Sequence, residues 1–390
     1  MRVLVFTLCK TEHLMKLKKI TATEVVVPAR EGSINSSMLH RPLHKISNKG
    51  REAWTQQFDE LPKLLLQLEW EDGLVGLGEC YRDHDWETIE AISTSLLGRE
   101  LETLKLQALP ISWCREYDGF ECAIWDSTAK AHGLPLSSLL GGAVQERVLV
   151  SAWTGHREVE EIPELARRFA GMGYRHWKFK CDLEDDVAAW CAGIKEAAPS
   201  MKVVLDPNER WEYAYEVRSR LHALEQVGNV LCLEDPLPRW NLDAYRELRA
   251  HSSIAIALHV SLPYIAHGQK ISDAITALTH HAIDGFNFNG GLHKFGQLSA
   301  IAQAANLPFW HGSEVDLGIL EAMYVHQCAA ARLCIWPSDI FGRLVREHDL
   351  LKTPLRLEPP YAYLPSGPGL GVELDGAALE TYRTRQEIYA

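Results

Sequence analysis

"HWKFKCDLEDD", residues 176–186, sets Lys178 and Lys180 two positions apart at the end of a short apolar run. Residues i and i+2 of a strand point the same way. The two ammonium groups would therefore share a face and repel. A solvated strand tolerates that; an enclosed site needs an anion to hold or a proton to move. The same run sets the rhythm of the chain around it. From about residue 147, short apolar runs recur: "RVLVSAW", "HWKFK", "KVVLDPN", "NVLCLEDP", "IAIALHV", "IDGFNFN", "LPFWHG" and "RLCIWPSD". Markers near their ends, from the second run onward, are Lys180, Asp206, Glu234, His259, Asn287, His311 and Ile335, spaced 24 to 28 residues apart. Between them lie stretches such as "DDVAAWCAGIKEAAP", with apolar residues at helical spacing and Gly or Pro at the close. Strand–helix units of that length predict an α/β fold built on a parallel, TIM-like barrel. In such a barrel, functional groups stand at the C-terminal strand ends.

The remainder of the chain reads differently. "ITATEVVVP", "LLLQLEWEDGLVGLGECY" and "GFECAIWDSTAKAHGLPLSSLLGG" predict an antiparallel sheet followed by helices, with "EDG" as a hairpin signal. An α+β domain over 15–146 thus precedes a barrel over 147–354, and a Pro- and Gly-rich tail follows from about 355. "MRVLVFTLC" makes a poor signal peptide, and the first fourteen residues read as an extension ahead of Met15. No run is long enough to span a membrane. The formal charge of −12 argues against nucleic-acid and anionic-membrane binding. Nine scattered cysteines without a CxxC pair suggest a reduced, cytoplasmic protein with no thiolate metal site.

Asp206 and Glu234 end neighbouring strands. Two such carboxylates can share a hard divalent cation; alternatively each caps the helix that follows. His259 stands at the next strand end, where a third acid would be the natural ligand. An imidazole there admits Mn²⁺ and other nitrogen-tolerant ions beside Mg²⁺. A plain histidine bonded to a backbone carbonyl is the other reading. Lys180 and His311 flank this arc from opposite sides. Lys178 can hold an anion and depress the pKa of Lys180, which then takes a proton.

Read together, "GLGE" (76–79), "FECAIWDSTAKAHGLPLSSLLGG" (120–142), "KFK", "DPN", "LEDP", "GGL" (290–292) and "PSGPGLGVELD" (365–375) resemble the mandelate racemase and muconate lactonising branch of the enolase superfamily. The resemblance runs from about Met15 to the C-terminus. It implies a (β/α)₇β barrel under a capping domain built from both chain ends, with 355–390 completing the cap. It also implies Mg²⁺-assisted abstraction of the proton α to a carboxylate. By that resemblance Lys180 is the base, Lys178 its partner, Asp206 and Glu234 are metal ligands, and His311 is a catalytic histidine. His259 departs from the family's Asp, Glu or Asn, and "CIWPSD" lacks the glutamate of the racemases, with Asp339 out of register. Support for His311 would come from Asp284, Asn287 or Asn289. The expected reaction is dehydration of a sugar acid, with Asn208, Asn287, Asn289, Ser313 and Glu314 binding hydroxyls. A racemase or epimerase, a cycloisomerase, and a non-catalytic relative are the alternatives. The expected partners are a small carboxylate substrate and further copies of the chain, and "PAREGSINSSMLHRPLHKISN" (28–48) would set specificity.

Overall fold

The computed structural model of the chain describes residues 15–36, 60–211, 213–261 and 270–390. The extension ahead of Met15 and residues 37–48 of the expected specificity segment lie outside these.

The cap begins with β1 (Leu17–Val26), β2 (Pro62–Trp70) and β3 (Val75–Cys80), followed by α1 (Trp86–Leu96), α2 (Tyr117–Ala131) and α3 (Leu136–Leu139). β2 runs antiparallel to both β1 and β3, and the β2–β3 hairpin turns at Gly73, which sits at φ +86°. Alternation along β2 serves two cores. Leu64, Leu66 and Leu68 pack with α1 and α2, whereas Leu65 faces the main core shared with the barrel. The "GLGE" motif has a steric cause. A side chain at Gly76 or Gly78 would run into Ala123 and Gly119 of α2, so the glycines allow the helix to lie against β3. Asp126 of α2 accepts N–H bonds from Leu77 (2.8 Å) and from Leu370 of the tail (2.7 Å).

"RVLVSAW" divides into two strands rather than one. β4 (Arg147–Leu149) leaves the barrel and pairs with the tail, whereas β5 (Ala152–Thr154) opens the barrel. Helices and strands then alternate: α4 (Ile162–Gly171), β6 (His176–Lys180), α5 (Val187–Ala197), β7 (Lys202–Asp206), α6 (Ala214–Val227), β8 (Val230–Glu234), α7 (Leu242–Ala250), β9 (Ala255–Ser261), α8 (Ile271–Thr279), β10 (Gly285–Asn289), α9 (Leu292–Ala304), β11 (Phe309–His311) and α10 (Gly318–Ala330). β5 to β11 form one parallel sheet in sequential order. The eighth run forms no strand; single bridges at Phe309–Cys334 and Val150–Ser338 bring it between β11 and the start of the barrel. Pro337 has no N–H to give a ladder there. The tail adds β12 (Leu357–Glu358), β13 (Tyr361–Tyr363), α11 (Gly376–Tyr382) and β14 (Arg383–Tyr389). β13 pairs with β12 and β4, and β14 joins the cap sheet beside β1. The fold is mixed α/β, a curled seven-stranded parallel sheet under a strand-rich cap. Among the described residues no helix is long and apolar enough to cross a membrane.

Polar contacts fasten cap to barrel. Glu79, the last residue of "GLGE", accepts the N–H groups of Leu317 (2.8 Å) and Leu320 (3.0 Å) at the start of α10. Lys63 of β2 is buried and lies 2.5 Å from Asp316 in the loop after β11. Removing one partner of a buried ion pair leaves the other charge uncompensated, which costs about 3–5 kcal/mol. Lys63→Ala should therefore lose about 3 kcal/mol in urea unfolding at neutral pH. A loss under about 1 kcal/mol would show that water replaces the ammonium and that this pair does not fasten the cap.

Candidate active site

The interior of the barrel is layered. Val204, Cys232, Ala257 and Trp310 form a small apolar cluster inside the strands. Two residues further along β7, β8 and β9 stand Asp206, Glu234 and His259, which period-two alternation turns to the same interior, one layer nearer the strand ends. β6 contributes Lys178 and Lys180.

The two lysines differ in surroundings. Lys178 Nζ lies 2.6 Å from Glu234 Oε2, 2.7 Å from Asp339 Oδ2 and 3.4 Å from Asp206 Oδ2. Burial works against its charge, but the carboxylates of Asp339, Glu234 and Asp206 outweigh burial and push its pKa well above the ordinary lysine value. Lys180 Nζ lies 2.5 Å from Asp206 Oδ2 and donates to Asn208 Oδ1 at 2.5 Å. Burial lowers its pKa, with Lys178 adding to the effect and Asp206 opposing it. The like-charged pair is thus tolerated because acids surround it, and of the two only Lys180 is biased toward the neutral amine. Asn208 reaches Lys180 from a left-handed backbone (φ 48°), which Asn tolerates better than most residues.

Glu234 and His259 belong to the group of ligand atoms that, among the described residues, lie close enough to hold a metal ion; Asp206 is outside that group, its carboxylate bonded to Lys180 and the Asn208 N–H. Lys178 Nζ marks a point within 3.4 Å of both the Asp206 and Glu234 carboxylates, and His259 Nδ1 is 3.4 Å from Glu234 Oε1. Glu234, Asp235 and His259 offer ligand atoms within 4.8 Å of one another. Asp235 is committed elsewhere: Arg239 Nε and Nη2 lie 2.7 and 2.5 Å from its Oδ2, and it accepts the His259 N–H at 2.9 Å. Burial, then Arg239 and Lys178, hold His259 well below the ordinary histidine pKa, so the imidazole is neutral. Its Nε2 is 2.9 Å from Asn289 Oδ1, and an amide oxygen only accepts. Nε2 therefore carries the proton, and Nδ1 keeps the lone pair a metal would use. Burial and the Asp206 charge push Glu234 up to about 8 against the pull of Lys178, whereas Lys180 and Lys178 overcome burial to hold Asp206 well below the usual range.

Several expectations need correction. Asn287 and Asn289 are wholly buried and serve the acids and His259: Asn287 Nδ2 donates to Glu234 Oε1 at 2.6 Å. Both amides are enclosed by these contacts, and neither lines the pocket beside Lys180. Glu314 reaches the pocket wall but faces Arg82 and Arg115 of the cap, each at 3.4 Å. Ser313 also reaches the pocket, and its hydroxyl donates to Asp316. His311 does not join the site. Trp310 takes the inward position of three-residue β11, so alternation turns His311 out among the helices, stacked on Tyr324 (3.8 Å) and Phe295 (4.8 Å). Its Nδ1 bonds the Gly312 carbonyl at 2.6 Å. Asp284, one of its expected supports, pairs with Arg249 instead. The next inward position is Gly312, where a side chain would collide with Asn287 and Asn289.

The structure corrects one expectation and adds a feature the sequence did not show: Asp339, expected out of register, is in the site, and the pocket has an apolar wall. Asp339 is buried beside Lys178, brought in by the Ser338–Val150 bridge. An apolar wall faces the lysines: Trp153 stacks on Phe341 (5.2 Å), and Ile34 and Val315 pack with them. Val315 is β-branched yet sits at φ 60°, a costly conformation. Ser313 Oγ accepts its N–H at 3.0 Å.

Burial depresses His311 to about 4, against 6.5 for an ordinary histidine. The unfolded chain then takes up the proton first. Stability is intact above about pH 6.5 and falls as pH drops toward 4. In His311→Phe this acid loss should shrink by about 1–2 kcal/mol between pH 7 and pH 5, with activity retained. Abolished activity in a folded His311→Phe protein would return the histidine to the chemistry.

Comparison with known proteins agrees with this architecture. Residues 161–378 match the family model "Enolase C-terminal domain-like", and residues 53–141 match "Mandelate racemase / muconate lactonizing enzyme, N-terminal domain". A chloromuconate cycloisomerase of Pseudomonas putida is 29% identical over 335 residues, 78% of this chain and 86% of that protein. A probable glucarate dehydratase of Streptomyces coelicolor is 26% identical over 367 residues, 80% and 83% of the two chains. The crystal structure of an N-succinyl Arg/Lys racemase from Bacillus cereus ATCC 14579 shares the fold with a TM-score of 0.80 and 20% identity, over 96% of this chain and 100% of that one. The chain belongs to the enolase superfamily, in its mandelate racemase and muconate lactonising branch.

Proposed function

We propose that the protein isomerises a small carboxylate substrate in the cycloisomerase manner: a carboxylate oxygen adds across a conjugated double bond to close a ring and Lys180 delivers a proton to the carbon α to the other carboxylate, or in reverse Lys180 removes that proton as the ring C–O bond breaks and the double bond forms. One observation carries this reading. Among the described residues, β10 and β11, across the barrel from Lys180, direct amides, Trp310 and Gly312 inward, and the one inward histidine, His259 of β9, is engaged with Asn289 and Glu234. Racemisation through two bases needs one on each face of the substrate. A reaction completed on one face needs only Lys180. The cycloisomerase names among the relatives support the same class.

Lys180 accepts the proton as the amine that burial favours, and Asp206 steadies the resulting ammonium. Lys178 remains charged and adds positive potential beside the developing anion. Glu234 and His259, with Asp206 beside them, would hold a divalent cation, Mg²⁺ first, and it would supply Lewis-acid stabilisation of negative charge on the substrate carboxylate. The Trp153–Phe341 wall favours a substrate with an apolar or unsaturated body. Dehydration of a sugar acid is the second reading, favoured by the probable glucarate dehydratase. The apolar wall and the commitment of Asn287 and Asn289 to Glu234 and His259 argue against it. Eight free cysteines among the described residues, seven of them buried, support a cytoplasmic setting.

A panel of unsaturated diacids, their lactones and sugar acids in deuterated buffer tests the reading. Exchange at the α carbon without loss of water is the expected result, and a 2-keto product from a sugar acid would favour dehydration. Lys180→Ala should lower exchange at least about 100-fold with the fold intact; retained exchange would remove Lys180 from the mechanism.

The metal assignment has its own test. His259→Asp replaces a neutral donor with an anionic one and should tighten Mg²⁺ binding in calorimetric titration. Unchanged affinity would exclude residue 259 from the ligand set.

A further inference from the structure

β14 ends the cap sheet. Its inner edge pairs with β1, and among the described residues no strand pairs with its outer edge. An exposed strand edge presents a row of unpaired N–H and C=O groups, which proteins blunt, cover or pair. The strand reads RTRQEIY, without Pro, with charges of both signs at Arg383, Arg385 and Glu387, and with Ile388 60% exposed.

We propose that a second copy of this chain adds to this edge, β14 against β14, about a two-fold axis at Gln386. Hydrogen-bonded and non-hydrogen-bonded pairs alternate along an antiparallel ladder. A two-fold axis turns the pair i with j of the partner into the pair j with i, so both must be of one kind. That holds only when i + j is even, which puts the axis at a residue. Centres at Arg385, Gln386 and Glu387 pair at least five of the seven residues. A centre at Arg385 sets that arginine against itself, and one at Glu387 does the same with glutamate. Like charges directly opposite destabilise a sheet. The centre at Gln386 alone pairs all seven. It sets amide against amide, and Arg385 against Glu387 twice. It also sets Arg383 against the Tyr389 ring twice and Thr384 against Ile388 twice. Opposite charges, a cation over a ring and a β-branched pair each favour the contact. Arg385 Nε and Glu387 Oε1 lie 3.2 Å apart on one face of β14, with the Arg385 guanidinium 4.1 Å over the Trp86 ring, so both charges of the exchanged pair stand on the same face. The surface is isologous, as a closed two-fold pair requires.

Light scattering of the full chain should give a dimer or a higher even-numbered assembly. Gln386→Cys should cross-link to itself under mild oxidation, because opposed Cα atoms in such a pair lie about 4.5–5.5 Å apart. Thr384→Cys, opposite Ile388, should not, and neither should the unmodified chain. Arg385→Glu and Glu387→Arg should each weaken association at least about tenfold, with the combined exchange restoring it. Circular dichroism on each variant checks that the fold is intact. A monomer at every concentration, no cross-link in Gln386→Cys, or association indifferent to both reversals would overturn the proposal. So would a Gln386→Cys cross-link that forms only in a chain starting at Met15, since residues 1–14 would then hold the edge.

Discussion

The Lys178 ammonium, enclosed by Asp206, Glu234 and Asp339, is the interaction on which the rest of the structure depends. Three carboxylates converging at the top of a barrel repel one another and lose hydration. A charge of opposite sign among them is required for the strands to close at this level. The four residues come from β6, β7, β8 and the eighth segment, so satisfying them also fixes the register of four barrel elements. That arrangement divides the labour of the two lysines. Lys178 is held as a cation by three acids, whereas Lys180, bonded to one acid and one amide, keeps access to its neutral form.

The cap acts on the same site through the loop after β11. Asp316 accepts from Lys63 of the cap, from Ser313 and Glu314 of its own loop, and from the Tyr324 hydroxyl of α10. Glu314 turns to Arg82 and Arg115. These contacts tie the position of cap strand β2 to the loop that carries Val315 into the pocket wall. The left-handed backbone of Val315 persists because its neighbours over-determine it, as strained residues at functional sites require.

Much of this was legible in the sequence, and its limits are physical. The 24- to 28-residue rhythm marks units of strand plus helix, which is why β6 to β11 fall where the runs predict. The side of the sheet that a strand end faces depends on parity, and spacing is blind to a shift of one residue. Lys180, Asp206, Glu234 and His259 share the inward parity. His311 does not, and the signal was its neighbour: a tryptophan beside it, followed by glycine, fills the interior at two successive levels with Trp310 and then almost nothing. Asp339 was placed out of register for a related reason. Its segment makes two bridges rather than a ladder, so no alternation announces its phase.

The fate of Asn287 and Asn289 separates polar composition from polar function. Amides near a strand end suggest hydroxyl recognition when only their type and position are known. In the folded chain their distances of 2.6 and 2.9 Å go to Glu234 and His259. An amide is suited to that task because it offers a donor and an acceptor on one rigid plane: Asn287 gives its N–H to an acid, and Asn289 gives its oxygen to an imidazole N–H. Neither adds charge to a layer already crowded with it. Trp153, Val315 and Phe341 line an apolar part of the pocket beside the polar groups of Asn208, Arg239, Ser313 and Glu314. Under the proposed function, selection for the body of a substrate rests on burial of apolar surface, and selection for its carboxylate rests on the charged layer beneath.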